Sequence, residues 1–237
     1  MLLAVDTSTA QTGLALYDGN QVLGEMVWQS KLFHTQELAP ALAELFARTS
    51  SKITAVEALG VAVGPGSFTS LRVGLAFVKG LCLARHLPVI GIPTLDIVAA
   101  AQPGGTKSEK GTTKPVPLAA VLQAGRGRLA IAWYRASKDG WKPAALRNSA
   151  AHLTLTDIDS FADSIKSPTL VCGELTADER QRLARKRKNV ILASPAASTR
   201  RPGILAELAW ERWQAGATDN PATLAPIYLH VTEALSS

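Results

Sequence analysis

The sequence predicts an α/β protein of two related lobes, and three observations carry that expectation. Short apolar strands open the chain as a meander and give way to alternating helices and strands, the order of sheets with helices laid on them. The opening is echoed later. Leu3-Ala4-Val5-Asp6 … Gly13-Leu14-Ala15-Leu16-Tyr17 returns as Ala120-Val121-Leu122-Gln123 … Leu129-Ala130-Ile131-Ala132-Trp133, a weak repeat of strand, polar turn and strand. Between the copies, residues 103–115 contain no apolar residue that could anchor them and read as a linker or surface loop. The expected domains are a first lobe at 1–102, the linker at 103–115 and a smaller second lobe at 116–237. Its last helix, 204–214, is a candidate for packing back on the first lobe.

Leu2–Asp6 is a short apolar strand and Thr12–Tyr17 alternates as a second. Asp18-Gly19-Asn20 then turns tightly into a third strand at Gln21–Trp28. Leu38, Leu42, Leu45 and Phe46 mark one face of a helix over His34–Arg48. Leu59–Val63 is an apolar strand running into Gly64-Pro65-Gly66, where two glycines around a proline permit a sharp turn. Ser67 is placed to cap the helix that follows, 68–84. That helix carries few charges, chiefly Arg72 and Lys79. Phe68, Leu71, Leu75, Val78 and Cys82 form one apolar set, and Val73, Phe77 and Leu81 a second. A helix apolar nearly all round needs a sheet beneath it and a further cover, from this chain or from a partner. Pro88–Ile92 is the next strand, and Thr94 is placed to cap a helix to about Ala101. The second lobe continues with strands at Pro117–Leu122 and Arg128–Tyr134 around a Gly125–Gly127 turn. Helix 156–165, strand Thr169–Cys172, a basic helix from Thr176, strand Asn189–Ala193 and helix Ile204–Gln214 complete it.

With 237 residues, 47% of them hydrophobic, the chain can bury a substantial core. No apolar run reaches the length of a membrane span, and Asp6 interrupts the apolar start too early for a signal peptide. A cytoplasmic protein is expected, with Cys82 and Cys172 as buried thiols. The formal charge of +6 permits contact with nucleic acid without demanding it. Much of the charge sits in Arg180–Lys188. With Asp178 and Glu179 in the first turn and bases in the last, that segment suits a helix dipole; an RNA-facing patch is the other reading.

Asp6-Thr7-Ser8-Thr9, at a strand end before a hairpin, has two readings. Hydroxyls and backbone N–H groups there can bind oxyanions while the carboxylate holds a magnesium-bound water. Alternatively, Asp6 and Thr9 satisfy their own backbone in an Asx-type turn. A two-lobed phosphotransfer site wants a second acid, but the matching turn is Gln123-Ala124-Gly125-Arg126. Gln cannot supply the negative charge an ion requires, so independent ATP hydrolysis is not expected. An actin-like kinase or ATPase using Asp6 is kept as the alternative. His34, His86, His152 and His230 are scattered without zinc spacing. Ser67 lacks the Gly-x-Ser-x-Gly pattern of a nucleophile elbow. No catalytic residue and no metal ligand are expected.

Val5-Asp6-Thr7-Ser8-Thr9, His34-Thr35-Gln36 at a helix start, and Gly64-Pro65-Gly66-Ser67-Phe68-Thr69-x-Leu71-Arg72-Val73-Gly74 together resemble the TsaB (YeaZ) family. The 88–95 stretch, Pro-Val-Ile-Gly-Ile-Pro-Thr-Leu, and Pro226-Ile227-Tyr228-Leu229 fit as well. The likeness is dense over residues 1–102 and thin afterwards. It implies an actin-like, sugar-kinase-like and Hsp70-like fold with two ribonuclease-H-like lobes, the second smaller or degenerate. It also implies a non-catalytic subunit that works with a TsaD-type transferase and a TsaE-type ATPase. Their product is threonylcarbamoyladenosine at position 37 of tRNAs reading codons that begin with A. The resemblance implies no cofactor of its own, with the partner junction as a candidate place for ATP or ADP, and tRNA reached through the complex. Helices 34–48 and 68–84 would then form the partner surface through His34, Leu38, Leu42, Leu71, Arg72, Val73, Leu75, Phe77 and Val78. They would stand beside the turn Gly64, Pro65, Gly66 and Ser67, and the same helices would serve for self-pairing. Three positions depart from the family pattern: Ser70 where Gly is usual, Gln123-Ala124-Gly125 for Asp-Ala-Arg, and His230 for Arg.

Overall fold

A computed structural model describes residues 1–30, 34–103, 116–138, 140–144, 153–185 and 188–228. The 104–115 stretch, His152, Leu229 and His230 lie outside the described residues, as does the side chain of His34. In chain order the elements open with β1 (Leu2–Asp6), β2 (Gln11–Tyr17), β3 (Val22–Gln29), α1 (His34–Arg48), β4 (Ala58–Ala62), α2 (Phe68–Arg85), β5 (Val89–Ile92) and α3 (Thr94–Ala100). They continue with β6 (Leu118–Gln123), β7 (Leu129–Ser137), β8 (Gly140–Pro143), β9 (Leu153–Thr156), α4 (Ile158–Ser164), β10 (Thr169–Gly173), α5 (Ala177–Ala184), β11 (Val190–Leu192) and α6 (Pro202–Gln214). Two compact units result, one from residues 1–101 and 199–227, the other from 102–198 and 228 onward.

The first unit is built on a five-stranded sheet in the order β3-β2-β1-β4-β5. The meander β1-β2-β3 is antiparallel, and β4 and β5 extend it in parallel with β1. Both faces are covered, which is why β1 and β4 are apolar at nearly every position instead of alternating. On one face Leu3, Val5, Leu14 and Leu16 pack with Leu38, Leu42 and Leu45 of α1 and Leu75 and Val78 of α2. On the other, Leu2, Ala4, Ala15, Ala58 and Ile90 meet Leu205, Ala206 and Ala209 of α6. Small residues at that contact let the helix lie close: a Cβ on Gly60 would stand 2.8 Å from the Cβ of Ala209.

The sequence divides the lobes at a linker, but the structure gives residues 199–227 to the first unit, because without α6 one whole face of its sheet would be bare. Pro202 opens α6 where a missing N–H costs nothing. The Glu25 carboxylate on β3 accepts the Gly203 N–H at 2.9 Å and the Arg201 Nε–H at 3.0 Å, fixing the helix start through charge as well as hydrogen bonds. Beyond α6, Asp219 donates its N–H to Val89 O at 2.9 Å and accepts the Gly91 N–H at 2.7 Å. The open edge of β5 is thereby occupied by the chain itself.

The second unit has the sheet order β11-β10-β6-β7-β8, with β9 also paired to β7. Ala119, Val121, Leu129 and Ile131 pack with Phe161 of α4 and Leu183 of α5. Its opening hairpin β6–β7 and the parallel strands β10 and β11 repeat the plan of the first unit. Strands β8 and β9, which no sequence signal marked, are four-residue edge strands. Helix α4 is shorter than the expected 156–165: Asp157 caps it by accepting the Asp159 and Ser160 N–H groups. Helix α5 ends at Ala184, short of Lys188, and starts in a reciprocal capping box between Thr176 and Glu179.

Candidate functional site

The Asp6–Thr9 turn and the Gly64–Ser67 turn are brought together at the ends of β1 and β4. Asp6 is almost wholly buried. Its Oδ1 accepts the Ser8 N–H at 2.8 Å and the Ser8 hydroxyl at 2.6 Å, the Asx-type arrangement. Its Oδ2 accepts the Arg200 Nε–H at 2.9 Å. Arg200 is itself only 1% exposed. Its Nη2 donates to the Thr9 hydroxyl at 2.7 Å and to Gln11 O at 2.8 Å. Thr7 donates its hydroxyl to Ser70 O at 2.7 Å, and Ser67 donates its N–H to Ser8 O at 2.7 Å. All four side chains of the turn are therefore bound to protein groups. The carboxylate that would hold an ion's water already faces a guanidinium.

Glycine is required here for closeness. A Cβ on Gly66 would fall 2.0 Å from Ser8 O, and one on Gly74 would fall 2.1 Å from the Thr7 hydroxyl. Gly64 needs it also for conformation, with φ of +104° and Ile227 O 2.8 Å from an added Cβ. Ser67 caps α2, its hydroxyl oxygen accepting the Ser70 N–H. Thr94 does not cap α3; Pro93 holds that position. The Thr94 hydroxyl instead accepts the Gly64 N–H at 3.1 Å while its own N–H donates to Gly64 O at 2.8 Å, so Thr94 braces the turn. The Ile227 N–H donates to Val63 O at 2.7 Å. Arg200 is the site residue that sequence reasoning missed, for nothing in Thr199-Arg200-Arg201-Pro202 points to an acid nearly the whole chain away.

At the corresponding place in the second unit, the Gln123 amide donates to Glu179 Oε2 at 2.7 Å. That carboxylate, also largely buried, accepts the Thr176 N–H at 2.7 Å. This turn too is closed by its own chain.

Between α1 and α2 the surface opens into an apolar groove of about 470 Å³ lined by Thr35, Leu38, Phe68, Thr69, Arg72, Val73, Ala76 and Phe77. Phe68 is 53% exposed, and the Arg72 guanidinium lies 3.6 Å from its ring centroid, a cation–π contact. The expected interface list needs correcting. Leu38, Leu42, Leu71, Leu75 and Val78 are buried in the unit's own core, since the side of each helix that carries them faces the sheet. Leu38 only reaches the groove floor. Of the expected residues, Arg72 is exposed and Val73 and Phe77 are half-buried; Phe68, outside that list, is the most exposed aromatic side chain of α2.

Burial raises the thiol pKa of Cys82 and pushes that of Cys172 up to about 12, so neither is a ready nucleophile. Among the described residues no cluster of three His, Cys, Asp or Glu could hold a metal, and no helix is long and apolar enough to cross a membrane.

The family model for TsaD, tRNA N6-adenosine threonylcarbamoyltransferase, matches residues 22–191. The chain belongs to this family, on its TsaB (YeaZ) branch. The tRNA threonylcarbamoyladenosine biosynthesis protein TsaB of Escherichia coli K12 is 30% identical over 139 residues, 59% of this chain and 57% of that one. The protein of the same name from Haemophilus influenzae is 38% identical over 102 residues, 42% of each chain. The matches thus span about half the length of these curated relatives. YeaZ from Pseudomonas aeruginosa superposes with a TM-score of 0.72 at 23% identity, covering 96% of this chain and 99% of that one. The fold of this TsaB-branch chain is α/β, two-lobed and actin-like.

Proposed function

We propose that the protein is the non-catalytic subunit of a tRNA threonylcarbamoyladenosine-forming complex. It would dock a TsaD-type transferase through the α1–α2 groove and work with a TsaE-type ATPase. The observation that carries this reading is the Asp6–Arg200 ion pair. An acid available to magnesium and nucleotide would need its oxygens turned toward solvent, and here the buried Arg200 takes Oδ2 at 2.9 Å while Ser8 takes Oδ1. A catalytic role falls to a partner, and nucleotide is expected only where that partner completes a site. The groove supplies a docking surface, since Phe68, Val73 and Phe77 leave apolar area that the chain itself covers only partly. At about 25 cal/mol per Å² of apolar surface removed from water, a modest helical interface supplies several kcal/mol.

Co-purification with the transferase tests this. Val73→Glu and Phe77→Glu are expected to abolish binding while the chain stays folded, and retention of the partner by both variants would sink the groove assignment. Deleting the gene is expected to remove threonylcarbamoyladenosine from bulk tRNA, with rescue by the wild-type chain. The actin-like kinase reading requires ATP turnover by the pure chain that vanishes in Asp6→Asn; none is expected.

A further inference from the structure

The two units differ sharply in charge. Residues 102–198 hold sixteen of the chain's 25 lysines and arginines but only eight of its 19 acids. The remaining residues are close to balanced, so the whole positive surplus belongs to the second unit. Among the described residues its acids are engaged internally. Asp157 caps α4, Asp159 and Asp178 both pair with Arg182, and Glu179 closes the α5 capping box. Asp163 and Glu174 also have partners. Arg135, Lys166, Arg185 and Lys188, in contrast, hold no ion pair among the described residues.

These cations gather at one end of the sheet. Arg135, near the end of β7, stands directly across from Lys142 on β8, a like-charge pairing that normally disfavours a hairpin. Lys166 lies just before β10, and Lys188 just before β11. The two connections that carry them touch, with the Asn189 amide donating to Ile165 O at 3.3 Å and the Thr169 N–H to Asn189 O at 2.8 Å. Arg185 ends α5 on the same side. All lie where β6, β10 and β11 begin, the opposite end of β6 from Gln123. With strands about 4.8 Å apart, the rim runs about 20 Å. Set into it is a cavity of about 280 Å³, lined among others by Trp133, Tyr134, Arg135 and Lys166. Tyr134 is buried, but Trp133 is only half-buried, and an aromatic face beside cations is the combination that holds a nucleobase by stacking and its phosphate by charge.

We infer that this rim of the second lobe binds RNA. The choice of RNA over another polyanion rests on the proposed function, which makes tRNA the substrate of the complex. The rim would hold tRNA while the groove on the first lobe holds the transferase.

The test is fluorescence anisotropy of the full chain with an unmodified tRNA transcript at 50 and 200 mM salt. Wild type is expected to bind and to weaken steeply with salt. Arg135→Gln/Lys166→Gln/Lys188→Gln is expected to lose about tenfold or more in affinity at low salt and to show a flatter salt dependence. Arg48→Gln/Lys52→Gln on the first lobe should bind as wild type does. Equal binding by wild type and the triple variant overturns the inference, as does binding to phosphatidylserine vesicles with none to tRNA. Transferase co-purification, measured in parallel, separates the two readings. Failure of RNA binding with the transferase retained sinks the rim alone, and loss of the transferase with RNA binding intact sinks the docking proposal alone.

Discussion

The two lobes begin with the same hairpin, and each ends its first strand in a polar residue aimed at a turn. The first lobe places Asp6 there and neutralises it with Arg200. The second places Gln123 there and ties it to Glu179. One position is closed by an ion pair and the other by hydrogen bonds from the Gln123 amide to the Glu179 carboxylate and to Glu174 O. An acid at this position of the fold therefore does not by itself mark a metal or phosphate site; what matters is whether another side chain has claimed its oxygens.

The comparison can be broken most forcefully at Arg200. Arg200→Met leaves the Asp6 carboxylate buried without its partner and is expected to cost about 3–5 kcal/mol. Urea denaturation reads this, and Asp6→Asn in the same chain should recover much of it. A loss under about 1 kcal/mol would show that the pair does not hold the turn. Gly66→Ala forces a methyl against Ser8 O, a backbone atom, and is expected to cost about 1–3 kcal/mol by the same measurement. In the second lobe, Gln123→Glu puts a second carboxylate beside Glu179. Like charges raise the pair's apparent pKa, so the folded form binds more protons than the unfolded one. The variant should lose about 2 kcal/mol at pH 7 and regain it as the pH falls through the raised folded-state pKa to the ordinary Glu value, whereas a loss independent of pH would contradict this.

Thr94→Val removes the acceptor of the Gly64 N–H and should cost about 1 kcal/mol, again seen in the denaturation midpoint. The smallest effect is at Glu207 on α6, whose carboxyl pKa is raised by burial and then by Glu211. A raised folded-state pKa means stability falls as pH rises from the ordinary Glu value through the folded one. Glu207→Gln should therefore melt slightly higher than wild type at neutral pH and match it below pH 4.

Much of this fold was legible because β1, β4, α1 and α2 have strong local signals: apolar runs of strand length, helical periodicity and a Gly-Pro-Gly turn followed by a capping Ser. The motif residues also identified the branch. What local patterns could not show were pairings between distant segments. Arg200 reaches Asp6, Glu25 reaches the start of α6, and Thr94 turns from its own helix to Gly64. In each case a polar side chain had an adequate local role available, and tertiary structure assigned it another. The apolar positions of α2 show the same limit. Their number indicated a helix covered on both sides, but only packing separates Leu71, Leu75 and Val78, which face the sheet, from Phe68, which stays outside.

The placement of α6 has a consequence for how the molecule is made. The first lobe is interrupted in the chain: its sheet comes from the first hundred residues, and the helix that seals one face of it from residues 202–214. On the ribosome, that face, with Leu2, Ala4, Ala15, Ala58 and Ile90, waits uncovered while the whole second lobe is synthesised. A fragment ending near residue 101 would keep the Gly-Pro-Gly motif and both groove helices yet expose half a core to water. Expressed alone it should aggregate, and adding residues 199–227 through a short linker should restore its solubility.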